Sequence, residues 1–115
     1  MIREIRDYLN DLVEAAERAI EFTEAMTYKG FSKDEKTVYA VVRAIEVMGE
    51  AVKNIPGEVR DAYPAIPWRE MAGMRDKLIH EYFGVDRSIV WQTVREDIPQ
   101  LLPLLRVLRS NETPG

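Results

Sequence analysis

The only histidine of the chain, His80, follows an arginine and an aspartate at short spacing, in the segment Arg75–His80. Imidazole exchanges protons near neutral pH more readily than any other side chain, and a guanidinium group binds phosphate through several N–H donors. Asp76 lies four residues before His80, the spacing at which a carboxylate on a helix can orient an imidazole ring. These residue types could cut a phosphodiester bond. A lone histidine near a helix end is more often a surface or capping residue, so both interpretations stay open.

Arg75 breaks the apolar pattern of the helix that we predict around it. At about 100° per residue, it falls near the centre of an apolar arc. The members of this arc are Met71, Met74, Leu78, Ile79 and Tyr82. An unpaired buried guanidinium is costly, so Arg75 must have a carboxylate partner, open into a cleft or face another subunit. Glu46 and Glu50 are the nearest candidate partners. An arginine that only ties two helices together is an equally good interpretation.

RNA cleavage without a metal ion needs a base for the 2′-hydroxyl, an acid for the leaving oxygen and a cation beside the phosphorane. On an ideal helix Arg75 and His80 lie about 140° apart, so they could not both point squarely at one small ligand. A two-fold dimer that sets this segment against its copy would bring two arginines and two histidines into one cleft. No second histidine or cysteine stands at a ligand spacing, so we predict no metal site.

Composition sets the class of the protein. Its 115 residues fit a single domain, 1–115. The absence of cysteine excludes disulfides and suits a reducing cytoplasm. We find neither an apolar run long enough to cross a membrane nor a signal peptide at the charged N-terminus, and we expect a cytoplasmic protein. A net charge of −4 argues against a broad phosphate-binding surface, so any RNA contact must be local, weak or delivered by a partner.

Apolar residues recur at helical spacing almost everywhere, and no convincing strand pattern is present. A first helix is predicted over residues 2–27. A second begins near Lys33, after a capping box formed by Ser32 and Glu35, and runs to about Asn54. Gly49 falls in its apolar stripe at a cost of about 1 kcal/mol relative to alanine. This glycine predicts the close approach of a neighbouring helix.

The second half of the chain predicts shorter helices. Residues 58–63 form a helical turn, and a helix follows from Trp68 to about Tyr82. Asp86 or Ser88 can cap a last helix, which Pro99 must kink or restart with Asp97 as a new cap. Residues 110–115 read as a frayed polar tail. We predict an all-α fold, an up-and-down bundle of four to five helices.

The motif Arg75-Asp76-x-x-x-His80-x-Tyr82 resembles the signature of HEPN domains, which is an arginine, a polar residue, three variable positions and a histidine. The extension to the tyrosine resembles the HepT-like toxins of prokaryotic toxin–antitoxin pairs. The resemblance covers most of the chain. It includes Arg43-Ala-Ile-Glu46-x-x-Gly49-Glu50-Ala51, Ile66-Pro-Trp68 and Asp97-Ile-Pro99.

This resemblance implies an all-α homodimer with Arg75 and His80 at a composite RNA-cleaving site and Asp76 as a polar helper, with Glu46 and Glu50 as supporting residues. No metal or cofactor is expected. The implied partner is a minimal nucleotidyltransferase antitoxin, which transfers AMP from ATP to Tyr82 and thereby silences the toxin.

Three hypotheses follow. The first is a metal-independent endoribonuclease toxin that uses His80 as general acid and base and Arg75 to stabilise the phosphate. The second is a non-catalytic helical subunit that docks a nucleotidyltransferase and binds nucleotide, which the acidic net charge favours. A plain helical scaffold is the third, and it leaves the position of Arg75 unexplained.

Overall fold

The computed structural model describes residues 2–80 and 84–113, and for residues 79 and 80 it describes the backbone alone. The elements are α1 (Ile5–Thr23), α2 (Tyr28–Lys33), α3 (Glu35–Lys53), α4 (Gly57–Asp61), α5 (Trp68–Ala72), α6 (Met74–Leu78), β1 (Ile79–His80), β2 (Gly84–Val85), α7 (Arg87–Gln92), a π-helical turn (Thr93–Asp97) and α8 (Ile98–Glu112). The predicted all-α bundle is confirmed. None of the described helices is long and apolar enough to cross a membrane.

The core lies where α1 packs against α3 on one side and α8 on the other. Each long helix contributes an apolar stripe at spacings of three and four residues, which buries one face and leaves the other in water. The largest side chains that are fully buried in this core include Leu9, Leu12, Ile45, Met48, Leu105 and Leu108. The packing places α1 between α3 and α8 and leaves one edge of α3 exposed to solvent.

The start of α3 differs from the sequence prediction. The cap is Asp34, whose carboxylate accepts the Thr37 N–H at 3.1 Å, and not Ser32. Ser32 belongs instead to α2, a short helix capped by Thr27, whose hydroxyl accepts the Gly30 N–H at 3.1 Å. The first helix, predicted over residues 2–27, extends only over Ile5–Thr23, so the prediction is too long at both ends. The Thr37 N–H donates to the ionised carboxylate and lowers the pKa of Asp34 below its ordinary 3.8.

The predicted continuous helix from Trp68 to Tyr82 is wrong. It is interrupted at Gly73 between α5 and α6, and it ends at Leu78. The chain then becomes extended, and the β1 residue His80 pairs antiparallel with Gly84 of β2. Gly84 has a φ of +75°, a conformation that glycine adopts without steric cost. The backbone of His80 is thus part of a tight two-stranded ladder, not of a helix.

The last helical segment is continuous from α7 to α8. Asp86 caps α7 as predicted, because its carboxylate accepts the N–H groups of Ser88 and Ile89. Asp97 makes no side-chain cap, so the predicted restart is wrong. The wider π-helical turn before Pro99 accommodates its missing N–H and its bulky ring. Residues 110–112, which we assigned to a polar tail, continue α8 as far as Glu112.

Gly49 packs against the end of α5, as the sequence predicts. A methyl group added to Gly49 would lie 3.5 Å from the carbonyl oxygens of Met71 and Ala72. This is ordinary van der Waals contact, so the neighbouring backbone is close without excluding alanine. The contact holds α5, and α6 after it, beside the second half of α3.

Candidate functional site

Arg75 extends from α6 to α3 and forms a salt bridge with Glu46. Its Nε donates to Oε2 of Glu46 at 2.9 Å, and the two side chains are 51% and 31% exposed. Arg75 thus has a carboxylate partner and also reaches solvent, which resolves the conflict with its apolar neighbours. Of the two candidate partners named from the sequence, Glu46 forms the ion pair. No ion pair joins Arg75 to Glu50 in the described part of the chain.

The salt bridge lies in an open cleft of about 340 Å³ between α3 and the segment α5–α6. Arginine and lysine side chains face glutamates and an aspartate across it. The residues that line it are Arg43, Glu46, Gly49, Glu50, Lys53, Ala72, Arg75 and Asp76. Three cations and three carboxylates balance in charge, so the cleft has no overall positive potential. Any anion must be bound by individual, correctly placed donors.

Asp76 lies at the mouth of this cleft. Its side chain is 83% exposed, and Oδ1 lies 4.0 Å from a terminal nitrogen of Arg75. We expected Asp76 to orient His80 across one helical turn. That spacing argument is wrong, because α6 ends at Leu78 and His80 has an extended backbone. For the same reason, the angle of about 140° between Arg75 and His80 on an ideal helix does not apply.

The strand that carries His80 leads to a second cavity. Gly84, the pairing partner of His80, lines a cavity of about 310 Å³ together with Val38, Tyr39, Val85 and Arg87. Arg43, which lines the first cleft, follows Tyr39 on α3 by four residues, so about one helical turn separates the two cavities along the helix. Tyr82 lies outside the described residues, and its modification stays a prediction.

The chemistry available to Arg75 follows from its bonding. Glu46 accepts from the Nε–H of the guanidinium group, and the terminal nitrogens make no hydrogen bond among the described residues, although the exposed Asp76 carboxylate lies 4.0 Å from one of them. Two parallel N–H donors are the arrangement that binds two oxygens of one phosphate. Arg75 can therefore hold a phosphate while the glutamate keeps its guanidinium plane in place.

Two further cleft residues, Arg43 and Lys53, were given no role by the sequence analysis. They share one edge of α3 with Glu46 and Glu50 at intervals of three, four and three residues. That periodicity was visible in the sequence. It could not be distinguished there from an ordinary solvated helix face, because the position of α6 opposite it depends on the break at Gly73.

Comparison with known proteins places the chain among its relatives. Residues 12–108 match the family model described as ribonuclease HepT-like. A protein of Thermococcus cleftensis, named probable ribonuclease HepT, is 53% identical over 110 residues, which are 96% of this chain and 100% of the relative. A candidate RNase of Methanocaldococcus jannaschii is 50% identical over 99 residues, 86% of this chain and 82% of the relative. No solved structure gives a significant match.

Proposed function

Because the chain belongs to the ribonuclease HepT-like family, we propose that it is an endoribonuclease that cuts RNA without a metal ion. The observation that carries this proposal is the placement of Arg75, which is fixed by Glu46 in an open cleft and lies five residues before His80. The printed names of the relatives, which describe RNases, support the same substrate class.

The proposed reaction is attack by the RNA on its own backbone. A histidine removes the proton of the 2′-hydroxyl, and the 2′-oxygen forms a bond to the adjacent phosphorus. A second histidine gives a proton to the departing 5′-oxygen, so the products are a 2′,3′-cyclic phosphate and a 5′-hydroxyl. Arg75 stabilises the charge of the phosphorane. One chain has a single histidine, and we therefore propose a homodimer in which His80 of each protomer takes one proton role.

The proposal extends to control of the activity. The motif tyrosine, Tyr82, would be the acceptor for AMP from a cognate nucleotidyltransferase antitoxin in the cytoplasm. Its phenolic oxygen would attack the α-phosphorus of ATP and release pyrophosphate. Tyr82 is two residues from His80, so a bulky anion attached there would block the site and repel the phosphates of RNA. The resemblance to HepT-like toxins supports this part.

The test is cleavage of a mixed RNA pool, with EDTA present, by the purified protein and by His80→Ala. Loss of a general acid or base should slow cleavage by about 10²–10⁴-fold. Mass spectrometry of the same preparation must show an unmodified Tyr82. If the unmodified wild-type protein does not cut, the ribonuclease proposal is wrong.

A second function, a non-catalytic subunit that docks a nucleotidyltransferase, is favoured by the charge balance of the cleft and the net charge of −4. Both are unusual for a surface that binds RNA mainly through phosphate neutralisation. It predicts that the unmodified protein binds the nucleotidyltransferase but leaves RNA intact. The cleavage assay therefore separates the two functions.

A further inference from the structure

The exposed edge of α3 carries an aromatic ring and two cations that the proposed reaction does not use. Tyr39, Arg43, Glu46, Glu50 and Lys53 fall within an arc of about 80° on this helix, at about 100° per residue. From the first to the last they extend about 21 Å along it, at 1.5 Å per residue. We call these five residues the α3 ridge. It runs from the cavity beside β2 to the far end of the cleft that holds Arg75.

The two cations of the ridge are free to bind an anion. Arg43 and Lys53 are exposed, and neither forms an ion pair or hydrogen bond within the part of the chain that the structure describes. By contrast, Arg106 is paired with a glutamate at 3.0 Å. A phosphate that reached Arg43 or Lys53 would not have to displace a carboxylate. The two side chains stand on opposite sides of the Arg75–Glu46 salt bridge along α3.

Tyr39 supplies a surface of a different kind. Its side chain is 61% exposed although the residue stands in a long, well-packed helix. Its ring borders the cavity formed by Gly84 and Val85, and Gly84 pairs with His80. Proteins that hold single-stranded RNA stack its bases on exposed aromatic rings and bind its backbone with flanking cations. The ridge presents both features next to the residues of the proposed reaction.

We propose that single-stranded RNA lies along the α3 ridge, with a base stacked on Tyr39 and backbone phosphates bound by Arg43 and Lys53. This inference rests on the proposed ribonuclease function and names its substrate class. An unpaired strand is favoured, because a base within a duplex reaches the ring only after unpairing and unstacking, which cost a few kcal/mol. The ridge would deliver the intervening phosphate to Arg75, and local contacts of this kind are compatible with an acidic protein.

The test measures binding separately from cleavage. A labelled single-stranded RNA with 2′-O-methyl groups cannot be cut through the 2′-oxygen, and its dissociation constant is measured by fluorescence anisotropy over a range of salt concentrations. The paired substitution Arg43→Ala with Lys53→Ala should weaken binding at least tenfold and reduce the slope of log K against log salt by about 1.4, at about 0.7 per phosphate contact. Lys29→Ala with Lys33→Ala removes the same charge from α2 and should leave the slope unchanged.

The ring is tested by a pair of substitutions. Tyr39→Ala should weaken binding about tenfold, whereas Tyr39→Phe keeps the stacking surface and should bind like the wild type. Tyr39, Arg43 and Lys53 are all exposed, so circular dichroism should show unchanged helix content in every variant. With cleavable RNA, Tyr39→Ala and the paired substitution Arg43→Ala with Lys53→Ala should raise KM and leave kcat within about threefold, whereas Tyr39→Phe should leave both constants unchanged.

Wild-type affinity and salt slope in the ridge variants would overturn the inference, as would the absence of measurable binding by the wild-type protein. If Tyr39→Ala changes the molecular mass in light scattering and RNA affinity follows that mass, the ridge is a protein interface and the inference is wrong. Binding of the methylated RNA without cleavage of unmodified RNA would refute the ribonuclease proposal alone. If the ridge variants cleave RNA with the KM and kcat of the wild type, the inference about the α3 ridge is wrong and the ribonuclease proposal stands.

Discussion

The salt bridge between Arg75 and Glu46 leads to a prediction that separates its effect on stability from its effect on catalysis. Both side chains are partly exposed, at 51% and 31%, so the pair belongs with surface salt bridges, which contribute about 0.2–1 kcal/mol. Glu46→Ala should therefore lower the free energy of unfolding by less than about 1 kcal/mol. The protein stays folded, and cleavage can be measured in the variant.

The effect on catalysis should be larger and should differ between the two kinetic constants. Glu46 fixes the guanidinium plane through a hydrogen bond of 2.9 Å, and we expect its loss to reduce kcat about tenfold, or about 1.4 kcal/mol. KM should stay the same or fall, because a carboxylate that repels RNA has been removed. Arg75→Ala removes the guanidinium group that binds the phosphate and should reduce kcat by about 10²–10³-fold.

The double variant shows whether Glu46 acts through Arg75. If it does, adding Glu46→Ala to Arg75→Ala should cause no further loss of kcat, since residues that act as a unit are not additive. Glu17→Ala is the matched control. It breaks a salt bridge to Arg106 of 3.0 Å, with side chains 40% and 52% exposed, outside the residues that line the cleft.

The assay is single-turnover cleavage of one RNA, combined with urea denaturation of each variant. The control should lose a similar small amount of stability and keep wild-type kcat. The reasoning would be refuted if Glu46→Ala and Glu17→Ala had the same kcat, or if the losses from Glu46→Ala and Arg75→Ala simply multiplied in the double variant.

Three further predictions concern neighbouring residues. Glu50 lines the cleft without a cation partner among the described residues, so Glu50→Gln should tighten RNA binding about threefold; unchanged anisotropy would contradict this. Gly49→Ala should raise the free energy of unfolding in urea by about 0.5–1 kcal/mol, because alanine has the higher helix propensity and its methyl group would lie in ordinary van der Waals contact, 3.5 Å from two α5 carbonyl oxygens. A lower free energy of unfolding would mean that α5 packs closer than this. The hydrogen bond from the Thr37 N–H lowers the pKa of Asp34 below its ordinary value of 3.8, so the ionised cap contributes its full stabilisation above that pH. This stabilisation is lost as the pH falls through the lower pKa of the folded state. Asp34→Asn keeps a cap that does not titrate, so the Tm of this variant should fall less steeply with decreasing pH than the Tm of the wild type. Parallel plots of Tm against pH for the two proteins would contradict this prediction.

The sequence narrowed the carboxylate partners of Arg75 to two candidates because the conflict between its charge and its apolar neighbours is local. An unpaired guanidinium on an apolar arc is costly to bury, and helical periodicity put Glu46 and Glu50 on the flank of the second predicted helix as candidate partners. The sequence could not choose between these two glutamates, nor exclude an open cleft or a second subunit. The exact geometry of His80 could not follow, because it depends on where the helix ends.

The errors share a physical cause, which is competition between local signals of similar strength. Residues 74–82 continue a plausible helical pattern, and only the pairing of His80 with Gly84 shows that the chain turns back. Ser32 and Asp34 are both good caps. Arg87 donates to the carbonyl of Ser32 and helps to settle the choice through a contact from a distant part of the chain. Pro99 predicted a kink or a restart of the last helix, but a π-helical turn before it accommodates the proline without ending the helix.

The central claim is that the 2′-hydroxyl of RNA attacks the adjacent phosphorus without a metal ion, and a single-atom change in the substrate tests it most directly. An RNA cut at a mapped position is compared, in EDTA, with the same RNA carrying one 2′-deoxy nucleotide on the 5′ side of that bond. We predict that cleavage at this position stops in the deoxy-substituted RNA while its other sites are still cut. The unmodified RNA should give a product that ends in a 2′,3′-cyclic phosphate. Continued cleavage at the deoxy position would contradict the mechanism.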